Sequence, residues 1–288
     1  MTLRKKFTGG SDLNFRRKIR KVVSYLLSAV VLLLCSSCAK EPAPADAKYV
    51  LNLLSGSGVE YNENIIITAQ TGCLGYGENS LLGAKAGLKT GVQAIEADIS
   101  FLEDGTPVLA KSFYEADKNS VPLKVLLEEM KAYPNVRLYL YLREVSNIQG
   151  VDELIVDYGL IDRAFFIGVT ESIVEFIMSS GTSLPYYMLF DLDEKMPGNG
   201  KAVTKALEDI SVYCPMGIVV PAEKITRELT EAAFNNYGYE VLAFNVNTSE
   251  EIANAFKCGV ANIITKSPDV ALESLDLWHG SRSDLSTS

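Results

Sequence analysis

From Asn64 to Leu275 the chain repeats one pattern: a short apolar run, then a segment whose apolar residues recur at helical spacing. The runs are Ile65–Thr68, Ala94–Ile99, Arg137–Leu142, Ala164–Gly168, Tyr186–Asp191, Gly217–Pro221, Val241–Val246 and Asn262–Thr265. The spacing predicts helices over Ser80–Lys89, Pro122–Lys131, Glu171–Ser180, Lys201–Asp209, Thr226–Tyr237, Ser249–Lys257 and Asp269–Leu275. Strands that alternate with helices pair in parallel, because each helix carries the chain back to the same edge of the sheet. About eight such units are what a (β/α)8 TIM barrel needs, and that α/β fold is the one predicted. Glu103-Asp104-Gly105 adds a hairpin turn into Pro107–Ala110, a small insertion after the second strand. An open doubly wound sheet is the alternative, but no Gly-x-Gly-x-x-Gly follows the first strand.

The N-terminus does not share this pattern. Eight basic residues lie between Arg4 and Lys21, and Val22–Leu34 follows as an apolar run too short for a comfortable transmembrane helix. Small residues then precede Cys38 in Leu34-Cys35-Ser36-Ser37-Cys38. Charge, a short apolar segment and small residues read as a secretory signal over residues 1–37. The segment resembles the bacterial lipobox, which implies lipidation of Cys38 and attachment to a bacterial membrane outside the cytoplasm. Cys35 fits worse because leucines precede it, and an uncleaved N-terminal anchor is the alternative. Residues 38–60, with the Pro/Ala-rich stretch Ala39–Ala47, are expected to be a tether. Residues 61–277 are expected to be the barrel, and residues 278–288 a disordered polar tail.

From residue 38 onward there are 19 Lys and Arg against 35 Asp and Glu, a net charge of −16, which argues against nucleic acid as a partner. Cys73, Cys214 and Cys258 are odd in number and without metal-like spacing, so they read as buried apolar thiols rather than a disulfide framework.

In such barrels chemistry sits where the strands end. On the second strand, Glu96 and Asp98 are two apart and face the same way. Burying two anions together is costly unless a metal or cations neutralise them. Tyr139, Tyr141 and Arg143 share one face of the third strand; Gln70 and Thr71 end the first, Lys111 and Ser112 the hairpin arm. Asp191 and Asp193 follow the fifth strand, Phe244, Asn245 and Asn247 close the seventh, and Lys266 follows the eighth.

At these residues the chain resembles the glycerophosphodiester phosphodiesterase family over nearly the whole body. IIITAQTG (Ile65–Gly72) is similar to the strand ending in Ala-His-Arg-Gly, and GYGENS (Gly75–Ser80) to the Pro-Glu-Asn-Thr segment. GVQAIEADISFLEDGTPVLAKS (Gly91–Ser112) is similar to the Glu-x-Asp strand, Asp-Gly turn and His-Asp segment; LYLYLR (Leu138–Arg143) to the strand carrying Glu-x-Lys. Val241–Asp269 is similar to the C-terminal Trp-Thr-Val-Asn and Thr-Asp-x-Pro block. The resemblance implies a divalent cation, Ca or Mg, on Glu96 and Asp98, two acid–base histidines, and glycerophosphodiester substrates. Residue by residue, Gln70 and Thr71 stand for the first histidine and its arginine, Lys111 and Ser112 for the second histidine and its aspartate, and Tyr141 for the third metal ligand. Arg143 keeps the lysine's charge, Phe244 stands for the tryptophan and Lys266 for an aspartate.

Acid–base work near neutral pH favours histidine, and the only one is His279, beyond the predicted last helix. Gln70 cannot titrate, and neighbouring carboxylates would push the Lys111 pKa up, away from use as a base. The expectation is therefore no catalytic residue and no resident cofactor, with Lys111 and Arg143 replacing the metal beside Glu96 and Asp98. Lys111, Tyr141, Arg143, Phe244 and Asn245 would line a site for a small phosphorylated or polyol ligand. Lys266 reads as a surface lysine, Asp191 and Asp193 as solvated acids, and Tyr186 and Tyr187 as a pair of which one faces the barrel. The competing readings are a divergent metal-dependent phosphodiesterase and a purely structural surface module.

Overall fold

The computed structural model describes residues 44–55, 57–58, 64–190 and 200–286. The expected signal segment, Cys38, Asp191 and Asp193 lie outside the described residues. Eight parallel strands form the ring: β1 (Ile66–Gln70), β2 (Ala94–Phe101), β5 (Arg137–Leu142), β6 (Ala164–Val169), β7 (Tyr186–Leu189), β8 (Gly217–Pro221), β9 (Glu240–Phe244) and β10 (Asn262–Thr265). Pairing of β1 with both β2 and β10 closes the sheet, with Gln70 opposite Glu96 and Ala69 opposite Thr265. The predicted TIM barrel is the observed fold.

Helices follow the strands as α2 (Leu81–Lys89), α3 (Leu123–Met130), α4 (Ile148–Asp157), α5 (Glu171–Ser180), α6 (Gly200–Ser211), α7 (Arg227–Tyr237), α8 (Ser249–Cys258) and α9 (Pro268–Ser286). Their starts are chemically marked. Ser80 and Thr226 accept from backbone amides in the first turns of α2 and α7, and Thr248 with Glu251 forms a capping box on α8. Helix α4 was not among the predicted ones, although Ile148, Val151 and Ile155 carry the helical spacing and are buried.

Two sets of side chains fill the structure. Outward-facing strand residues and the inner faces of the helices make the large apolar layer between ring and helices. Inward-facing residues, among them Ala94, Tyr139, Ile167, Tyr187, Val219, Leu242 and Ile264, plug the ring. Tyr139 stacks on Phe165 at 5.3 Å and meets Tyr187 edge-on at 6.0 Å. Tyr187 is the member of its pair that faces in, and its hydroxyl donates to Glu240 Oε2 at 2.6 Å; Tyr186 faces away and donates to the Tyr213 carbonyl.

The hairpin insertion is also present. β2 extends to Phe101, turns through Gly105 at φ 83°, and returns as β3 (Pro107–Leu109), which pairs with β4 (Val121–Pro122). Asn147 clamps the turn by donating to the Gly105 carbonyl at 2.9 Å.

Three expectations need correction. The tether does not reach residue 60: Ala47–Leu54 is a helix, α1, with Val50 and Leu54 buried against α8 and α9. Asp46 caps it, and the Asp46 amide donates to Ser249 Oγ at 2.8 Å. The tail is not disordered from residue 278, because α9 runs to Ser286 and Trp278 is buried against Phe256, ring centroids 5.5 Å apart. Cys214 is exposed, whereas Cys73 and Cys258 are buried as expected. Among the described residues, no helix is long and apolar enough to cross a membrane.

Candidate functional site

A cavity of about 110 Å³ opens where the ring strands end. The strand register puts Glu96 beside Gln70 on one neighbour and Tyr139 on the other, with Asp98 beside Tyr141. Tyr141 forms the floor. Its ring lies against Gly168, where an added Cβ would come within 2.3 Å of it, and meets Phe244 edge-on at 6.0 Å. The Arg143 guanidinium sits 3.8 Å above the same ring, a cation–π contact that fixes its direction.

Asp98 is the best-satisfied polar group in the site. Its Oδ1 accepts from Arg143 Nε at 2.6 Å and its Oδ2 from Asn79 Nδ2 at 2.8 Å. Asn79 also accepts from the Asp98 amide at 3.1 Å and from Thr71 Oγ1 at 3.1 Å, so one side chain ties the loop after β1 to β2. Asn79 holds φ 53°, a conformation asparagine tolerates better than most residues.

Glu96 is neutralised differently. It is 5 % exposed and has no ion-pair partner among the described residues. Burial first, then the Asp98 charge, push its carboxyl up to about 8, against the pull of Arg143 and a hydrogen bond from Gln70. Glu96 thus keeps its proton to higher pH than an ordinary glutamate. Gln70 Oε1 is buried with no donor among the described residues, and a protonated Glu96 would supply one. Gln70 Nε2 reaches Asn245 Oδ1 at 3.4 Å, and Asn245 stands at φ 60° just past β9.

The four residues of the expected cluster are divided between two arrangements. Arg143 does pair with Asp98, but Lys111 turns to Glu78. Lys266, expected at the surface, pairs with the other oxygen of Glu78. Both lysines hold the Glu78 carboxyl below the usual carboxylate range, and Glu78 in turn raises Lys111. The three side chains are each about two-fifths exposed, at the mouth of the cavity. Glu78 lies so close over Gly72 that an added Cβ there would fall 2.8 Å from Glu78 Cα and Cγ. Ser112 and Asn247 do not line the cavity; Asn247 instead accepts from the Lys266 amide at 2.8 Å and fixes that loop. Neither the Glu78–Lys111 nor the Glu78–Lys266 pairing has a local sequence signal, because the partners sit on separate loops.

These donors do not fit a resident divalent cation. Such an ion wants several anionic or carbonyl oxygens. Here Asp98 already receives a guanidinium and an amide, and Glu78 answers two lysines, which leaves Glu96 as the one carboxyl of the cavity lining without a cationic partner among the described residues. Among the described residues no group of three or more His, Cys, Asp or Glu is placed to hold a metal.

No protein-family profile and no curated protein matches the chain. Its fold is nonetheless that of solved glycerophosphodiester phosphodiesterases. A phosphodiesterase from Oleispira antarctica, in complex with the product sn-glycerol-3-phosphate, superposes with a TM-score of 0.62 at 16 % identity, over 73 % of this chain and 96 % of that one. A glycerophosphodiester phosphodiesterase from Parabacteroides distasonis gives 0.59 at 15 % identity, over 76 % and 98 %. A third, from Thermotoga maritima, gives 0.54 at 16 % identity, over 74 % and 99 %.

Proposed function

We propose that the chain is a divergent, non-catalytic glycerophosphodiester phosphodiesterase-like lipoprotein, anchored to a bacterial membrane through Cys38, whose cavity binds a small phosphorylated or polyol ligand. The observation that carries this reading is the Asp98–Arg143 pair: an internal guanidinium stands beside the carboxylate to which the resemblance assigns a metal. Burial and the Asp98 charge raise the Glu96 carboxyl, which leaves less charge there to neutralise. Among the described residues, nothing lining the cavity replaces the missing acid–base pair. Gln70 does not titrate, and Lys111 is moved by Glu78 further from neutrality. What remains is a pocket with an aromatic floor, amide groups on one wall and cations on the other, which suits recognition better than turnover.

The test is hydrolysis of glycerophosphocholine and glycerophosphoglycerol by the full-length protein, with and without Ca²⁺ or Mg²⁺. Turnover should not exceed that of a Glu96→Ala, Asp98→Ala double variant. The competing reading, a metal-dependent hydrolase, draws on the three carboxyls that share the cavity, and metal-dependent turnover abolished by that double substitution would establish it.

A further inference from the structure

Two lysines meet one carboxylate at the cavity mouth. Lys111, on the arm after β3, and Lys266, on the loop after β10, approach one carboxylate, Glu78, on the loop after β1. Each lysine takes a different oxygen, Lys111 Oε2 and Lys266 Oε1. This is how two cations on a receptor hold a bound oxyanion, except that the oxyanion belongs to the chain itself. Behind it, Arg143 also faces the cavity. Three cations, Lys111, Lys266 and Arg143, share the cavity with three carboxyls, Glu78, Glu96 and Asp98; without Glu78 the cations outnumber the carboxyls.

We propose that Lys111 and Lys266 form an oxyanion receptor that Glu78 occupies in the free protein, and that a ligand carrying a terminal carboxylate or phosphate binds by displacing Glu78. The proposal rests on the ligand-binding reading above and gives its ligand a charge.

The geometry makes exchange feasible. All three side chains are about two-fifths exposed, so breaking the pairs costs little: exposed ion pairs are worth up to about 1 kcal/mol, or about fivefold, each. Lys266 is presented by a fixed backbone, its amide bonded to Asn247 and its carbonyl accepting from Leu74 at 2.9 Å. The receptor therefore stays in place when its internal carboxylate leaves. Glu78 is itself about two-fifths exposed at the cavity mouth, so its side chain has solvent to move into.

The experiment is titration of full-length wild type and Glu78→Gln with inorganic phosphate, glycerol 3-phosphate and acetate at low ionic strength. Removing the internal competitor should tighten phosphate binding about tenfold, from two pairs of up to about fivefold each. Lys111→Met and Lys266→Met, added singly to Glu78→Gln, should each reverse much of the gain. The relative affinities for acetate and the two phosphates identify the head group. Equal affinity in wild type and Glu78→Gln, no binding by either, or a gain that survives loss of both lysines would overturn the proposal. Should Glu78→Gln not fold, the Lys111→Met, Lys266→Met protein serves, and unchanged phosphate binding by it is the overturning result. Turnover of glycerophosphodiesters by wild type would sink the non-catalytic reading and leave this exchange measurement standing.

Discussion

At the scale of single residues, the two carboxyls of β2 show how register alone can separate chemically identical neighbours. Asp98 lies level with the strand ends, where Arg143 and Asn79 reach it; Glu96 lies one pleat deeper, where Gln70 does. This difference has a pH signature. Burial and Asp98 raise Glu96 in the fold to about 8, from an ordinary 4.5. Between those values the folded protein keeps a proton that the unfolded chain has released, so raising the pH favours unfolding; above about 8 the effect ends. Melting temperatures of the wild type should therefore fall as pH rises from 6 to 8, and Glu96→Gln, which copies the neutral carboxyl, should flatten that fall. An equal pH slope in both proteins would refute a protonated Glu96. Arg143→Met should cost about 2 kcal/mol, between an exposed and a fully buried broken pair, because Asp98 is buried while Arg143 is one-third exposed. Lys111→Met should cost less, up to about 1 kcal/mol, since both it and Glu78 are about two-fifths exposed. Denaturant unfolding of the two variants measures the contrast. The Arg143 contact was legible in the sequence because alternation along Arg137–Leu142 places Arg143 on the face of Tyr139 and Tyr141. The Lys111 partner was not, because a lysine beyond a strand end chooses among whatever loops come near.

At the scale of elements, strands and helices were legible wherever burial imposed a period. Arg137–Leu142, Gly217–Pro221 and Asn262–Thr265 have the bounds expected of them. Errors gathered where composition spoke more loudly than period. The Pro/Ala-rich lead hid α1, whose apolar residues are only Val50, Leu51, Leu53 and Leu54 with Ala47. Likewise the polar residues after His279 hid the continuation of α9, though Trp278 needs a buried partner and finds Phe256. Both segments belong to the folded body, and this can be tested. Val50→Asp places a charge at a site with no exposed surface and should cost at least about 3 kcal/mol. Trp278→Ala should cost about 3 kcal/mol through the cavity it leaves. If either protein melts at the wild-type temperature, that segment is an appendage, as the composition suggested.

At the scale of the whole molecule, the barrel was more legible than its site for a physical reason. Eight repeats of one pattern average out local ambiguity, and ring closure demands only that the strands be apolar and of similar length. A site depends instead on a few side chains from separate loops, whose contacts no period records. Identities of 14–19 % with solved structures fit the same division, since a ring of apolar strands survives substitutions that rewrite its rim.

Helix α1 fixes the point at which the N-terminal segment joins the barrel. Its first residues are bonded to Ser249, at the start of α8, on the end of the barrel where the strands finish and the cavity opens. Between Cys38 and Pro44 there are five residues, so a lipid on Cys38 would moor that end within about 20 Å, at roughly 3.5 Å per residue. A leash out to residue 60 would let an anchored barrel tumble freely; the proposed lipidation of Cys38 would keep the cavity end near the headgroup layer. Ligands would then be gathered from a surface, in two dimensions, rather than from bulk solution. A spin label at Tyr114, three residues past Lys111 and 94 % exposed, should sense the bilayer, while one at Phe234, beside the strand starts Ile66 and Val241, should not. Equal readings at both positions would mean that the mooring sets no orientation.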